Sequence, residues 1–234
     1  MNEVIMITVI VIFIVYWIVF FEKANHNRVP KTIWTYWEEP DHLDTKKRLP
    51  DEAIRSWKEH NPTYEVIILT KKNYQGYVTI PTEVRTHPDL NPDHLSDLIK
   101  LWILAERGGI WIDPNVTINR PFDPWLFPKY AEFAATIDQS KTTDQKHPVI
   151  NPSFMAANPG SEFIKKWRDE FSEIVRYQNI DQYVQNRDHI DHQQITDPIQ
   201  DVIQIAEQIV LQSQKYPLEL LILHNNFPIQ QVAQ

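Results

Sequence analysis

The chain has 234 residues, with 23 Lys and Arg against 31 Asp and Glu for a net charge of −8, and it contains no Cys. The length suits one catalytic-sized domain with a short appended segment. The acid excess excludes a protein that grips nucleic acid with a basic face, and the missing cysteines exclude disulfides and thiolate-bound metals.

The first predicted element is an anchor. Val4 to Phe21 is a run of 18 residues without a charge. As a helix it spans roughly 27 Å, close to the ~30 Å of a hydrocarbon core. Glu3 precedes the run and Glu22-Lys23 follow it, with no small-x-small cleavage site. Residues 1–22 therefore read as an uncleaved transmembrane helix rather than a secretory signal. Residues 23–30 form a polar tether and residues 31–234 the main domain. Lys23, Arg28 and Lys31 flank the run on its C-terminal side, which places that domain on the cytoplasmic side. Asn115-Val116-Thr117 is a glycosylation acceptor pattern. It lies inside the candidate site described below, where a glycan would block access, so it agrees with that orientation.

Along the main domain, the β-branched and aromatic residues of 29–37 predict an opening strand. Asp51 to His60 reads as a helix with Ala53, Ile54 and Trp57 on its apolar face and Asn61-Pro62 as its stop. Residues 64–69 read as a strand buried on both faces. Asp93 to Arg107 is a helix, with Asp93 as cap, Ser96-Asp97 in the first turn and a wide apolar stripe from Leu95 to Ala105. Gly108-Gly109 ends it, and Ile110-Trp111-Ile112-Asp113 follows as an apolar strand closed by a carboxylate. Further strands are expected at 132–137, 153–157 and about 218–223, and helices at about 161–177 and 199–213. Residues 178–200 are Gln- and Asp-rich and poorly patterned. The alternation of strands and helices implies an α/β layered domain.

The chemistry concentrates in Ser96-Asp97-Leu98-Ile99-Lys100 and Gly108 to Asn115. Asp97 and Lys100 are three apart on a helix and lie on neighbouring parts of one face. The glycine pair allows a tight reversal. The strand then delivers Asp113 to a C-terminal sheet edge, where ligands bind in open α/β sheets. In an extended chain Asn115 points the same way as Asp113, and after Pro114 it reads equally well as a turn residue. A carboxylate and an amide oxygen suit a hard cation such as Mg²⁺ or Mn²⁺, and such a cation would hold a diphosphate. His189, His192 and His224 have no tight metal-ligand spacing and read as solvated. Trp102 and Trp111 read as core, and Asp123 as a turn residue.

The helix–Gly-Gly–strand–Asp block resembles the Asp-x-Asp sugar-transferase family. That family includes family 32 glycosyltransferases, capsular polysaccharide synthesis proteins and outer-chain-initiating mannosyltransferases. Pro30-Lys31-Thr32-Ile33-Trp34-Thr35-Tyr36-Trp37 is similar to the family's first strand, and the similarity runs over about residues 29–160. The resemblance implies a GT-A-like α/β fold, a mixed sheet with flanking helices, behind the N-terminal transmembrane helix. It implies a metal-dependent hexosyltransferase that takes a UDP- or GDP-linked sugar donor and a glycan or lipid-linked acceptor, with no nucleic-acid partner. By position, Trp37 stacks on the donor base, Asp97 contacts the donor ribose or sugar, and Lys100 stands where the family has Arg. Asp113 is the first residue of the metal-binding pair and Asn115 the second, with Mn²⁺ or Mg²⁺ as cofactor. Asn115 in place of a second Asp removes a negative charge from the metal pair, and Lys100 in place of Arg loses bidentate geometry. These departures, with the poor match beyond residue 178, motivate an alternative: a catalytically inactive, membrane-anchored nucleotide-sugar-binding protein on the same fold.

Overall fold

In a computed structural model, the structure describes residues 28–38, 50–86, 92–126, 131–177, 180–187, 201–213, 216, 221–224 and 229–231, together with Ile10, Ile12, Phe13 and Ile14. A six-stranded mixed sheet is the frame. Its strands are β1 (Thr32–Tyr36), β2 (Glu65–Leu69), β3 (Gly109–Ile112), β5 (Phe133–Ile137), β6 (Ile150–Ala157) and β7 (Leu221–His224), in the order β2-β1-β3-β6-β5-β7. β1 runs parallel to β2 and β3, and β5 runs parallel to β7. β6 is antiparallel to both its neighbours, β3 and β5. The C-terminal ends of β1, β2, β3, β5 and β7 therefore meet at one edge of the sheet, beside the N-terminal end of β6.

The period-2 alternation of each strand divides the core in two. Trp34, Tyr36, Trp111, Met155 and Phe133 pack on one face with α3 (Pro92–Arg107), α5 (Glu162–Val175) and α7 (Val202–Ser213). Ile33, Ile110, Ile112, Phe154 and Ala134 pack on the other with α1 (Asp51–His60). That second face also carries a small sheet of β4 (Val116–Ile118) and β8 (Ile229–Gln231). Trp57 Nε1 donates to Val116 O at 2.7 Å, and Ser56 Oγ accepts from Ile118 N at 3.0 Å, so α1 is pinned to β4.

The helix at 51–60 falls where its pattern predicts, with Ala53 and Trp57 buried and Asn61 as C-cap. β2 departs from the expectation of burial on both faces. It is the edge strand, its Glu65 and Ile68 are exposed, and only Leu69 is fully covered. Ile68 opens onto a shallow groove of 500 Å³ lined by Asp51, Ile54, Arg55, Lys58 and Glu59. That groove lies on the α1 side of the sheet, away from α3. Short elements with no strong period also form: a 3-10 turn at Tyr74–Gly76, α2 (Thr82–Arg85), α4 (Asp123–Leu126) and α6 (Ile180–Gln185). Asp123 begins α4 and accepts from Tyr64 Oη at 2.6 Å and from Lys31 Nζ at 2.9 Å, so it joins the start of β1 to the entry of β2.

Most of the predicted anchor, residues 1–22, lies outside the described residues, as do the tether before Arg28 and His189 and His192. Ile10, Ile12, Phe13 and Ile14 are helical and exposed. Among the described residues, no helix is long and apolar enough to cross a membrane.

Candidate active site

The turn from α3 into β3 builds the site. Gly108 and Gly109 take φ of +63° and +100°, a region that L side chains rarely adopt. Trp34 Nε1 donates to Gly108 O at 2.9 Å and locks the turn against β1. β3 then runs fully buried to Ile112 and delivers Asp113 just past its end. Asp113 N donates to Ser153 O at 2.9 Å, so β6 holds the site residue's backbone from the other side.

Three side chains meet there. Lys100 Nζ lies 3.0 Å from Asp97 Oδ1 and 3.5 Å from Asp113 Oδ1, with side-chain exposures of 4% for Lys100, 15% for Asp97 and 28% for Asp113. Trp111 Nε1 donates to the same Asp113 Oδ1 at 2.7 Å, and the Lys100 ammonium stands 5.4 Å from the Trp111 ring centre. Burial alone would depress the Lys100 ammonium, but Asp113 and Asp97, with Asp201, outweigh it and hold its pKa above the ordinary lysine value. Burial pushes the Asp97 carboxyl up to about 6; Lys100 opposes that rise, and Asp201 and Asp113 add to it. A charged lysine thus sits between two acids at the sheet edge, with Asp113 the most open of the three.

Asp97, Lys100 and Asp113 are brought together as their spacing suggests. The local reason for Asp97 differs from expectation, because α3 begins at Pro92 and puts Asp97 in its second turn. Its carboxylate is spent on Lys100 rather than on the helix N-terminus. Asn115 takes the turn reading rather than the extended one. Val116 N donates to Asp113 O at 3.0 Å, so Asp113–Val116 is a tight turn with Pro114 and Asn115 at its centre. Asn115 is partly buried in that turn. Trp37 stands one residue past β1 on the same edge, partly buried, its N–H donating to Leu69 O at 2.9 Å.

Among the described residues no group of three or more His, Cys, Asp or Glu is arranged to hold a metal. A cation bound at Asp113 would complete its shell with ligand phosphates and water, the usual state of Mg²⁺. A carboxylate whose Oδ1 already takes two donors still offers its second oxygen, so the residues fit such a shared cation.

Three contributors are not legible in the sequence pattern. Asp201 stands directly before α7 and acts electrostatically on both Asp97 and Lys100. Gln204 and Glu207, from the following turns of α7, are 1% and 0% exposed and hold the start of β6. Their signal in the sequence is Gln204, Glu207 and Gln208 at helical spacing inside an otherwise apolar helix.

A mixed sheet with flanking helices of this kind resembles the folds of glycosyltransferases. The PaToxG glycosyltransferase shares it, with a TM-score of 0.50 over 86% of this chain and 77% of that one, at 14% identity. The galactosyltransferase LgtC, solved with donor and acceptor sugar analogs, gives a TM-score of 0.44 over 82% of this chain and 72% of that one, at 15% identity. The capsular polysaccharide synthesis protein family matches residues 17–220, and the chain belongs to that family. Glucan organizing enzyme 1 of Cryptococcus neoformans var. grubii is 24% identical over 125 residues, which make up 51% of this chain and 33% of that protein. The chain thus spans only a third of the length of that curated relative.

Proposed function

We propose that the chain is a metal-dependent glycosyltransferase that moves a hexose from a UDP- or GDP-linked donor to a hydroxyl of a glycan or lipid-linked acceptor, in polysaccharide or glycoconjugate synthesis. The observation that carries this reading is Asp113, partly open at the C-terminal end of β3 and tied to Lys100 at 3.5 Å. Family membership and the shared fold support it. In this reading residues 31–234 form the catalytic domain on the cytoplasmic side. Residues 1–22 anchor it in the membrane, supported by the apolar run and by the exposure of Ile12 and Phe13 on a helix.

Asp113, with Asn115 in the turn after it, would hold Mn²⁺ or Mg²⁺. When bound, that cation supplies charge neutralisation for the departing nucleoside diphosphate. Lys100 keeps Asp113 oriented and adds positive charge beside the phosphates. Asp97 fixes Lys100 and faces the donor's ribose or sugar, and Trp37 offers an indole at the edge for the base. If the acceptor hydroxyl attacks the anomeric carbon directly, the nucleoside diphosphate leaves, the hydroxyl proton passes to water or to that diphosphate, and no protein nucleophile is needed.

A second reading, nucleotide-sugar binding without transfer, has one observation in its favour: Asp113 Oδ1 already takes Trp111 and Lys100. A panel of UDP- and GDP-hexoses, with Mn²⁺ or with chelator, separates the two. Metal-dependent release of nucleoside diphosphate supports the transferase. Tight, metal-independent binding with no turnover on any donor rejects it in favour of the binding protein.

A further inference from the structure

Strand β6 outruns β3. Their pairing ends with Ile112 opposite Phe154 and the bond from Asp113 N to Ser153 O, whereas β6 begins at Ile150. On its other side, pairing with β5 slips: Ala135 faces Met155, but Thr136 faces Asn151. Residues 152–154 are left over from that ladder as a bulge, and the bulge presents Ser153 to Asp113. Bulges re-aim a strand beside a site and persist only when their surroundings hold them.

The holder is α7. Gln204 Nε2 donates to Ile150 O at 2.8 Å, and Ile150 N donates to Glu207 Oε2 at 3.4 Å. Gln204 Oε1 accepts from Lys141 Nζ at 2.5 Å, and Gln208 Nε2 donates to His147 O at 3.1 Å and to Pro148 O at 3.2 Å. Gln212 Nε2 then donates to Gln208 Oε1 at 3.0 Å, further along the helix. A helix needing only core packing would place apolar residues here. Instead Gln204, Glu207 and Gln208 are at most 1% exposed, and each of them bonds a backbone group at or just before the start of β6.

Resting on the transferase reading above, we propose that Gln204 and Glu207 are positioning residues for Asp113. They fix both backbone groups of Ile150, Ile150 fixes the bulge, and Ser153 O in turn fixes the Asp113 backbone. The C-terminal helix thereby sets the geometry of the donor site without touching it.

The test compares full-length wild type with Q204L, Q204E, E207M, E207Q and Q212L. It reads kcat, KM, the thermal midpoint shift with UDP or GDP plus Mn²⁺, and amide hydrogen exchange at residues 150–154. Q204E keeps an acceptor for Lys141 but loses the donor to Ile150 O, so it serves if Q204L does not fold. Q204L and Q204E are expected to lower kcat at least about tenfold, as small misplacements at a site do, with a smaller thermal shift from UDP or GDP plus Mn²⁺ and accelerated exchange at 150–154. E207M removes the acceptor for Ile150 N and is expected to lower kcat likewise, E207Q keeps an acceptor and is expected to restore it, and Q212L is expected to turn over like wild type; E207M equal to wild type overturns the role of Glu207. Unchanged kcat in both Gln204 variants, or an equal loss in Q212L, overturns the proposal. A wild type that turns over no donor overturns the transferase reading instead. The exchange arm needs no donor and still decides whether α7 holds β6: unchanged exchange in Q204E rejects it.

Discussion

Trp111 and Asp113 are joined by a 2.7 Å hydrogen bond from the indole Nε1 to the carboxylate Oδ1. They are two residues apart where β3 ends, hence on one face, and Trp111 is fully buried. The core thus reaches the site through one donor. W111F removes that donor and some packed volume. The loss of a hydrogen bond to a charged group costs about 1.5–3 kcal/mol, so unfolding in urea should show a fall of at least that size, with donor turnover reduced further than stability alone explains.

Lys100 is the most deeply buried charge of the cluster. K100M leaves Asp97 and Asp113 facing each other without their cation. Removing one partner of a buried ion pair costs roughly 3–5 kcal/mol, and denaturant unfolding should register it. K100R keeps the charge and can donate to both acids through its fork, so it should stay within about 1 kcal/mol of wild type.

The folded-state pKa of Asp97, about 6, lies above the ordinary 3.8. Between those values the folded chain holds a proton that the unfolded chain has released, so this residue makes stability fall as pH rises from about 4 to about 6. Glu207, whose pKa burial raises well above 4.5, acts in the same direction. In D97N the Asp97 part of the slope disappears. Thermal midpoints at pH 4.5 and pH 6.5 should therefore differ less in D97N than in wild type.

At Gly109 an added Cβ would stand 2.7 Å from Trp34 Nε1 and 2.8 Å from Thr32 O, at a φ of +100°. Neither the strand backbone nor the hydrogen-bonded indole can retreat. G109A combines backbone strain with overpacking, which together cost about 2–6 kcal/mol. The soluble yield of G109A and its urea midpoint should both drop sharply, whereas G76A, with open space around its Cβ, should fold normally.

Sequence pattern revealed the elements whose local and global preferences agree. The helix at 51–60 has a clean apolar face and a stop at Asn61, and the α3–Gly-Gly–β3 unit carries its own punctuation, so Asp97, Lys100 and Asp113 could be placed beforehand. β2 misled because Val66-Ile67-Ile68-Leu69 looks like an interior strand, and nothing local says that it closes the edge of the sheet. β4 and β8 were missed because strands of three residues gain their stability from α1 and from each other, not from periodicity. For Asn115 the sequence allows a turn after Pro114 as readily as an extended chain, and the bond from Val116 N to Asp113 O decides for the turn. Gln204 and Glu207 were illegible because a buried polar residue has meaning only beside the backbone it satisfies, and here that backbone lies more than fifty residues earlier.

The account rests on the Asp113 carboxylate at the mouth of the site. D113N is nearly isosteric and can still accept from Trp111, so the fold should survive. Release of nucleoside diphosphate from a UDP- or GDP-hexose with Mn²⁺ should fall at least about a hundredfold in D113N, in line with the loss of other charge-stabilising groups at transfer sites. Turnover in D113N equal to that of wild type, with the same metal dependence, would contradict the account.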